Sequence, residues 1–271
     1  MSRPIRVGVQ LMPAGAPDYR TWRHAVMYAD ELGTDVIFGY DHFHAPKFAK
    51  LVDGNAAFAD VHENVHNFEG WTALASWGEI TTRAEIGLLV TGIGYRNPDL
   101  LADMARTVDH ISGGRVILGV GAGWYETDYT SYGFDFGTVK SRLDLFDENL
   151  LRIENRLRQL NPAPVRDIPI LIGGSGVKRT LPAVARHADV WHSLLPIDDY
   201  RLATARLAEL AEESERADGD IERSVNWRDE RSAEEYLAAG ATLFLTEIWP
   251  TADGYDFSTV EKMLKWRDEQ G

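Results

Sequence analysis

Cysteine is absent from the 271 residues. That excludes a disulfide scaffold, a zinc site built on thiolates and a cysteine nucleophile. Long apolar runs are also missing. The stretch 116–120 (VILGV) is among the longest, and a membrane-spanning helix needs about 20 apolar residues. Met1-Ser2-Arg3-Pro4 leads directly into a strand-like stretch, without the apolar core or cleavage region of a signal peptide. Cytoplasmic residence and no membrane partner are therefore expected. Positive charge is scarce, with 28 Lys+Arg against 42 Asp+Glu and a net charge of −14. Without a basic face to neutralise phosphates, nucleic acid is excluded as a general partner. An anionic small ligand needs a local cradle that works against the overall field.

The chain does contain a repeated alternation of strand-like and helix-like segments. Residues 5–11 (IRVGVQL) alternate and are rich in β-branched side chains, as a strand requires. Residues 19–33 follow with Trp22, Val26, Ala29 and Leu32 on one helical stripe, Asp18 as N-cap and Gly33 as stop. Asn97 and Pro98 form the cap and first position of a helix over 98–111. Residues 139–160 read as a long charged amphipathic helix. Strand-like runs start near residues 5, 35, 84, 115, 168, 189, 222 and 241. Their mean spacing of about 34 residues is near the ~30 of one βα unit. Eight such units predict an α/β fold, a (β/α)8 TIM barrel formed as one domain over 1–271; a doubly wound open sheet is the alternative. The long loops 41–70 after strand two and 121–138 after strand four would both begin at the C-terminal face, where barrel active sites sit.

Polar and glycine-rich residues gather at those same strand ends. Gly173-Gly174-Ser175-Gly176 precedes a helix and is followed by Lys178 and Arg179. Glycines let the backbone approach an anion, the helix offers unpaired N–H groups, and the two cations add local positive charge, so this segment reads as a phosphate cradle. Eight Trp residues divide into two groups. Trp22, Trp77 and Trp266 lie on helical stripes and are expected to pack. Trp124 and Trp191 lie at strand ends and are expected to line an apolar pocket.

Several segments in order resemble the luciferase-like monooxygenase superfamily, in its branch dependent on the deazaflavin coenzyme F420. They are Val7-Gly8-Val9-Gln10-Leu11, Asp41-His42, Tyr95-Arg96-Asn97-Pro98, Asp109-His110-Ile111-Ser112-Gly113-Gly114-Arg115, Gly119-Val120-Gly121-Ala122-Gly123-Trp124, and Pro169-Ile170-Leu171-Ile172-Gly173-Gly174-Ser175-Gly176. The resemblance implies the barrel, with a flavin-like tricycle across its C-terminal mouth. It implies that Asp41 and His42 stand beside the ring, His42 moving a proton as hydride is transferred to or from a small organic substrate. It puts Thr91 and Gly92 under the ring, where the family often has an unusual cis peptide, and Asn97 in hydrogen-bonding reach of it. Gly121, Ala122, Gly123 and Trp124 would line the cofactor groove. Gly173, Gly174, Ser175 and Gly176 would hold the phosphate, with Lys178 and Arg179 along an anionic tail. Glu126 is a second acid–base candidate. The resemblance also implies a homodimer and a partner reductase that regenerates reduced cofactor. The segments before strand five and between strands seven and eight are shorter than is usual in the family, which implies an open rim.

Three other readings compete. Flavin mononucleotide (FMN) would use the same turn and mouth, with oxygen-dependent monooxygenation as the reaction. A barrel that binds a ligand without chemistry is a second alternative. The third rests on His62-Glu63-Asn64-Val65-His66, which spells H-E-x-x-H, a zinc hydrolase motif when helical. Its flanks are polar, and Glu69 stands where a metzincin has glycine. The downstream residues that would complete it, Glu79 or Glu85, fall in other elements. A polar lid loop is the preferred reading, and no metal is expected.

Overall fold

The computed structural model describes residues 3–52, 55–61 and 65–270. Eight parallel strands form a closed ring: β1 (Arg6–Leu11), β2 (Val36–Gly39), β3 (Glu85–Leu88), β4 (Val116–Gly121), β5 (Ile170–Gly173), β6 (Val190–Ser193), β7 (Glu222–Asn226) and β8 (Leu243–Ile248). Each pairs with its sequence neighbours, and β1 closes on β8 with Arg6 opposite Leu243 and Leu11 opposite Ile248. Closure excludes the open-sheet alternative, and the fold is a (β/α)8 barrel. The ring is surrounded by α1 (Tyr19–Leu32), α2 (Gly70–Ile80), α3 (Pro98–Ser112), α4 (Glu126–Ser131), α5 (Val139–Gln159), α6 (Thr180–His187), α7 (Ile197–Glu213), α8 (Glu230–Ala238) and α9 (Ser258–Gln270).

The caps expected from sequence are present. Asp18 accepts from the Thr21 amide at 2.8 Å, Gly33 takes the left-handed conformation at φ 99°, and the Asn97 side chain accepts from the Asp99 amide at 2.9 Å. Some elements near the C-terminal face were not expected. Residues 41–70 contain an antiparallel hairpin, Pro46–Val52 with Asn55–Val61, and the short helix α4 follows β4.

Side chains alternate between two apolar layers, as strand geometry requires. Ile37, Val116, Leu118, Val120 and Phe244 pack outward against the helices, where Trp22, Trp77 and Trp266 are buried as expected. Val36, Phe38, Ile117, Leu171, Val190, Leu243 and Leu245 form a separate cluster inside the ring. One inward step further along the same strands are Gly173, His192 and Glu247, and two steps beyond Ile117 is Gly121, all at the C-terminal mouth. Glycine is sterically required where strands cross closely. A Cβ on Gly119 would stand 2.0 Å from the Leu88 carbonyl oxygen. At the opposite end, Arg6 joins Glu85 at 2.5 Å and Glu222 at 2.5 Å, and Arg166 also pairs with Glu85.

Candidate active site

A cleft of about 750 Å³ opens at the C-terminal ends of the strands. It collects Asp41, His42, Gly92, Gly121, Ala122, Gly123, Trp124, Gly173, Gly174 and Ser175 from the sequence-derived candidates. Its floor is Gln10, Leu89, Val90 and His192, and its rim carries Asp199, Arg228 and Glu247. A cis peptide bond joins Leu89 to Val90, just before the Thr91-Gly92 position where the resemblance implied one. The Gln10 side-chain amide donates to the Leu89 carbonyl at 2.7 Å and so ties this bend to β1.

Asp41 and His42 leave β2 side by side but have different roles in the structure. Asp41 is 2% exposed and accepts a two-pronged bond from Arg96, Nη1 to Oδ2 at 2.5 Å and Nη2 to Oδ1 at 2.9 Å. Arg96 Nη2 also reaches Glu69, the N-cap of α2, at 2.7 Å. The group ties the loops after β2 and β3 to the start of α2. Burial pushes the Asp41 carboxyl up to about 6, against the pull of Arg96. Thr91 is fully buried and accepts from the Trp71 indole at 2.9 Å.

His42 stands among aromatic rings, with Tyr40, Trp124 and Tyr125 centroids 5.3, 5.1 and 5.6 Å away, each nearly perpendicular to it. Its backbone carbonyl accepts from Asn67 at 2.9 Å, and Asn67 in turn accepts from the Tyr40 hydroxyl at 2.9 Å. The His42 Nδ1 lies 2.7 Å from Asp128 Oδ2. Asp128 also holds His44, through Nδ1 at 2.9 Å and the backbone amide at 3.0 Å, and accepts from the Tyr95 hydroxyl at 3.2 Å. Burial pushes this carboxyl up, but the bonds from His42 and His44 outweigh it and hold it below the usual carboxylate range.

The acid that reaches His42 is thus Asp128, two residues beyond the candidate Glu126. Glu126 is exposed at the first position of α4 and does not line the cleft, whereas Asp128, just over half a turn further round, is fully buried. The sequence shows both acids, but only a helix starting at 126 decides which one turns inward.

The glycine turn after β5 lies on the other side of the mouth. Gly174 has φ 119°, its amide donates to the His192 carbonyl at 3.1 Å, and its carbonyl accepts from the Trp191 indole at 2.7 Å. Trp191 is fully buried and stacked on Tyr200, so it braces the turn and does not line a pocket. Trp124 does line the cleft and is half exposed. Ser175 faces Ser193 at 3.2 Å between hydroxyl oxygens, and Thr180 at the start of α6 completes this wall. The two cations that follow the turn are placed differently from each other. Arg179 pairs with Asp144 and Asp147 of α5 at 2.9 and 2.7 Å, which neutralises its charge, while Lys178 is exposed outside the cleft. Gly176 and Asn97 likewise stand outside it, and the Asn97 side chain is occupied in capping α3.

His192, not singled out from sequence, lies on the floor. It is buried, with the Ser224 hydroxyl 3.0 Å from Nδ1, and burial pushes its imidazole down to about 4. In the H-E-x-x-H segment, His62 and Glu63 lie outside the described residues. His66 Nδ1 bonds the Pro17 and Ala16 carbonyls at 2.9 and 3.2 Å. Among the described residues, no group of three or more His, Cys, Asp or Glu could hold a metal ion, and no helix is long and apolar enough to cross a membrane.

Comparison with known proteins gives a consistent family. The profile of the luciferase-like monooxygenase family matches residues 2–228. An uncharacterised Mycobacterium tuberculosis protein is 26% identical over 184 residues, 62% of this chain and 65% of its own. A second protein of that organism, provisionally named a coenzyme F420-dependent oxidoreductase, is 26% identical over 228 residues, 73% of this chain and 56% of its own. The chain thus spans less than two thirds of the length of these relatives. Among solved structures, an F420-dependent secondary alcohol dehydrogenase bound to an F420-acetone adduct superposes with a TM-score of 0.76 at 15% identity, covering 90% of this chain and 94% of that one. A Pseudomonas putida Baeyer–Villiger monooxygenase component in complex with FMN superposes at 0.63 and 16%, covering 88% and 72%. At such identities the likeness is one of fold.

Proposed function

Because the chain belongs to the luciferase-like monooxygenase family, we propose that it is an oxidoreductase that transfers hydride between coenzyme F420 and a small organic substrate. One observation carries this reading: His42 and the Gly173-Gly174-Ser175 turn, 131 residues apart in sequence, line the same cleft. A redox heterocycle with a phosphate-bearing chain fits the walls between them. Gly92, Gly121 and Gly123 present backbone without side chains, and Leu89 and Val90 give an apolar floor. The hydroxyls of Ser175 and Thr180 and the start of α6 give neutral and dipolar donors suited to a phosphate. F420, when bound, supplies a deazaflavin ring carbon that carries hydride.

The residues of this chain then bind, orient and move a proton. The turn holds the anionic group through hydroxyl and amide donors, with no cation in the cradle itself. His42 stands at the mouth with one nitrogen anchored on Asp128, and exchanges a proton with the reacting group of the substrate. Asp41, locked to Arg96, fixes the strand end from which His42 projects. Neutral His192 forms an uncharged donor–acceptor surface on the floor.

Titration of the cofactor-free protein with F420 and with FMN, side by side, tests the cofactor. Tighter binding of F420 is expected, and saturable binding of FMN with none of F420 would overturn the reading. His42→Ala is expected to retain F420 affinity and to lose about 10²-fold or more in kcat. Unchanged kcat with cofactor still bound would remove His42 from the proton step.

A further inference from the structure

Asp128 is the point at which two imidazoles and a phenol meet. Its side chain is fully buried, and four donors converge on its two oxygens. Oδ2 receives His42 Nδ1 at 2.7 Å and the Tyr95 hydroxyl at 3.2 Å. Oδ1 receives His44 Nδ1 at 2.9 Å and the His44 backbone amide at 3.0 Å. An ionised carboxylate only accepts hydrogen bonds, so each neutral imidazole must carry its single proton on Nδ1.

We propose that Asp128 is the positioning residue of this site, holding His42 in the Nδ1–H form so that a proton-accepting Nε2 is presented to the cleft. The proposal rests on the functional reading above for the use made of Nε2, but not for the tautomer itself. The arrangement makes His42 a base in its neutral state and keeps a counter-charge behind the ring once Nε2 is protonated. His44 shares the carboxylate and is held in the same tautomer, which leaves Asp128 no freedom to rotate away.

The substitution Asp128→Asn separates positioning from mere packing. The His44 backbone N–H can only donate, so the amide oxygen of the new side chain must take the Oδ1 place. Its NH2 group then stands where Oδ2 stood, against His42 Nδ1, and that nitrogen must become an acceptor. His42 is therefore expected to change to the Nε2–H form, with a donor and no acceptor facing the cleft, while His44 keeps Nδ1–H.

The measurement is a long-range 15N–1H correlation spectrum of the histidine rings in cofactor-free protein at alkaline pH, with His42→Ala and His44→Ala spectra for assignment. In the unmodified protein the His42 proton should reside on Nδ1, and in Asp128→Asn on Nε2. A His42 proton on Nε2 in the unmodified protein, or one that stays on Nδ1 in Asp128→Asn, would overturn the proposal. The unmodified spectrum decides the matter even if the variant does not fold. Neither spectrum depends on F420, so a failed cofactor titration and a failed tautomer assignment are separate results.

Discussion

His192 and His42 line the same cleft but have opposite surroundings. His42 has a carboxylate behind it, whereas His192 has a serine hydroxyl and a buried setting, which pushes its imidazole from 6.5 down to about 4. The unfolded chain therefore binds a proton at His192 at higher pH than the folded chain does. The stability conferred by this neutral imidazole is fully present above pH 6.5 and is lost as pH falls through 6.5 towards 4. Between pH 7 and pH 4.5 the loss comes to about 2 kcal/mol. Replacing His192 by Gln is expected to narrow the gap between urea denaturation free energies at those two pH values by that amount. An unchanged gap would mean that His192 is protonated in the folded protein or does not contribute. At this scale the sequence was partly legible. His42 was singled out through the family resemblance and the glycine turn through its composition and the helix after it, and the structure puts both at the same mouth. Asp128 and Trp191 were not legible: burial and the direction of a short helix decide their roles, and neither is encoded in local spacing.

Among the helices, the features that act within a few residues were the legible ones. Asp18, Gly33 and Asn97 cap the helices they were expected to cap, because capping is satisfied within three or four positions. Asn97 had a second expected role, contact with the cofactor ring, and the structure gives its side-chain oxygen to the Asp99 and Leu100 amides instead. Asn97→Ala should therefore lower stability by about 1 kcal/mol and leave F420 affinity within about twofold. A large loss of affinity in a folded variant would restore the contact role. Arg179 behaves similarly, as an exposed link between α6 and α5. Arg179→Ala is expected to change stability by less than about 1 kcal/mol and to leave binding by the cleft unaltered, as read by the same F420 titration. The hairpin of Pro46–Val52 with Asn55–Val61 went unrecognised. Its residues mix Lys, Asp and Pro with apolar types, and the alternation that marks a half-buried strand is too broken to read.

The whole molecule divides along the barrel axis, and the division follows from the inward-facing positions of a few strands. Starting from the N-terminal ends, Arg6, Glu85 and Glu222 form a charged layer, Leu171, Val190 and Leu245 an apolar one, and Gln10, His192 and Glu247 the cleft. The count of eight units was legible, but closure was not, because parallel strands buried on both faces look alike in a barrel and in an open sheet. Stability should therefore depend on the charged end and ligand binding on the other. Glu222 is 4% exposed and takes two bonds from the Arg6 guanidinium, Nε at 3.0 Å and Nη2 at 2.5 Å. Glu222→Met removes that acceptor and leaves Arg6 with Glu85 alone, which itself is shared with Arg166. Stranding part of a buried charge in this way is expected to lower stability by about 3 kcal/mol, measured by urea denaturation at pH 7. F420 affinity, measured below the onset of unfolding, should stay within about twofold, because the apolar layer separates the cluster from the cleft. A tenfold weaker affinity in the folded variant would mean that the two ends of the barrel are coupled, and the cleft could then no longer be treated as a site carried on an independent scaffold.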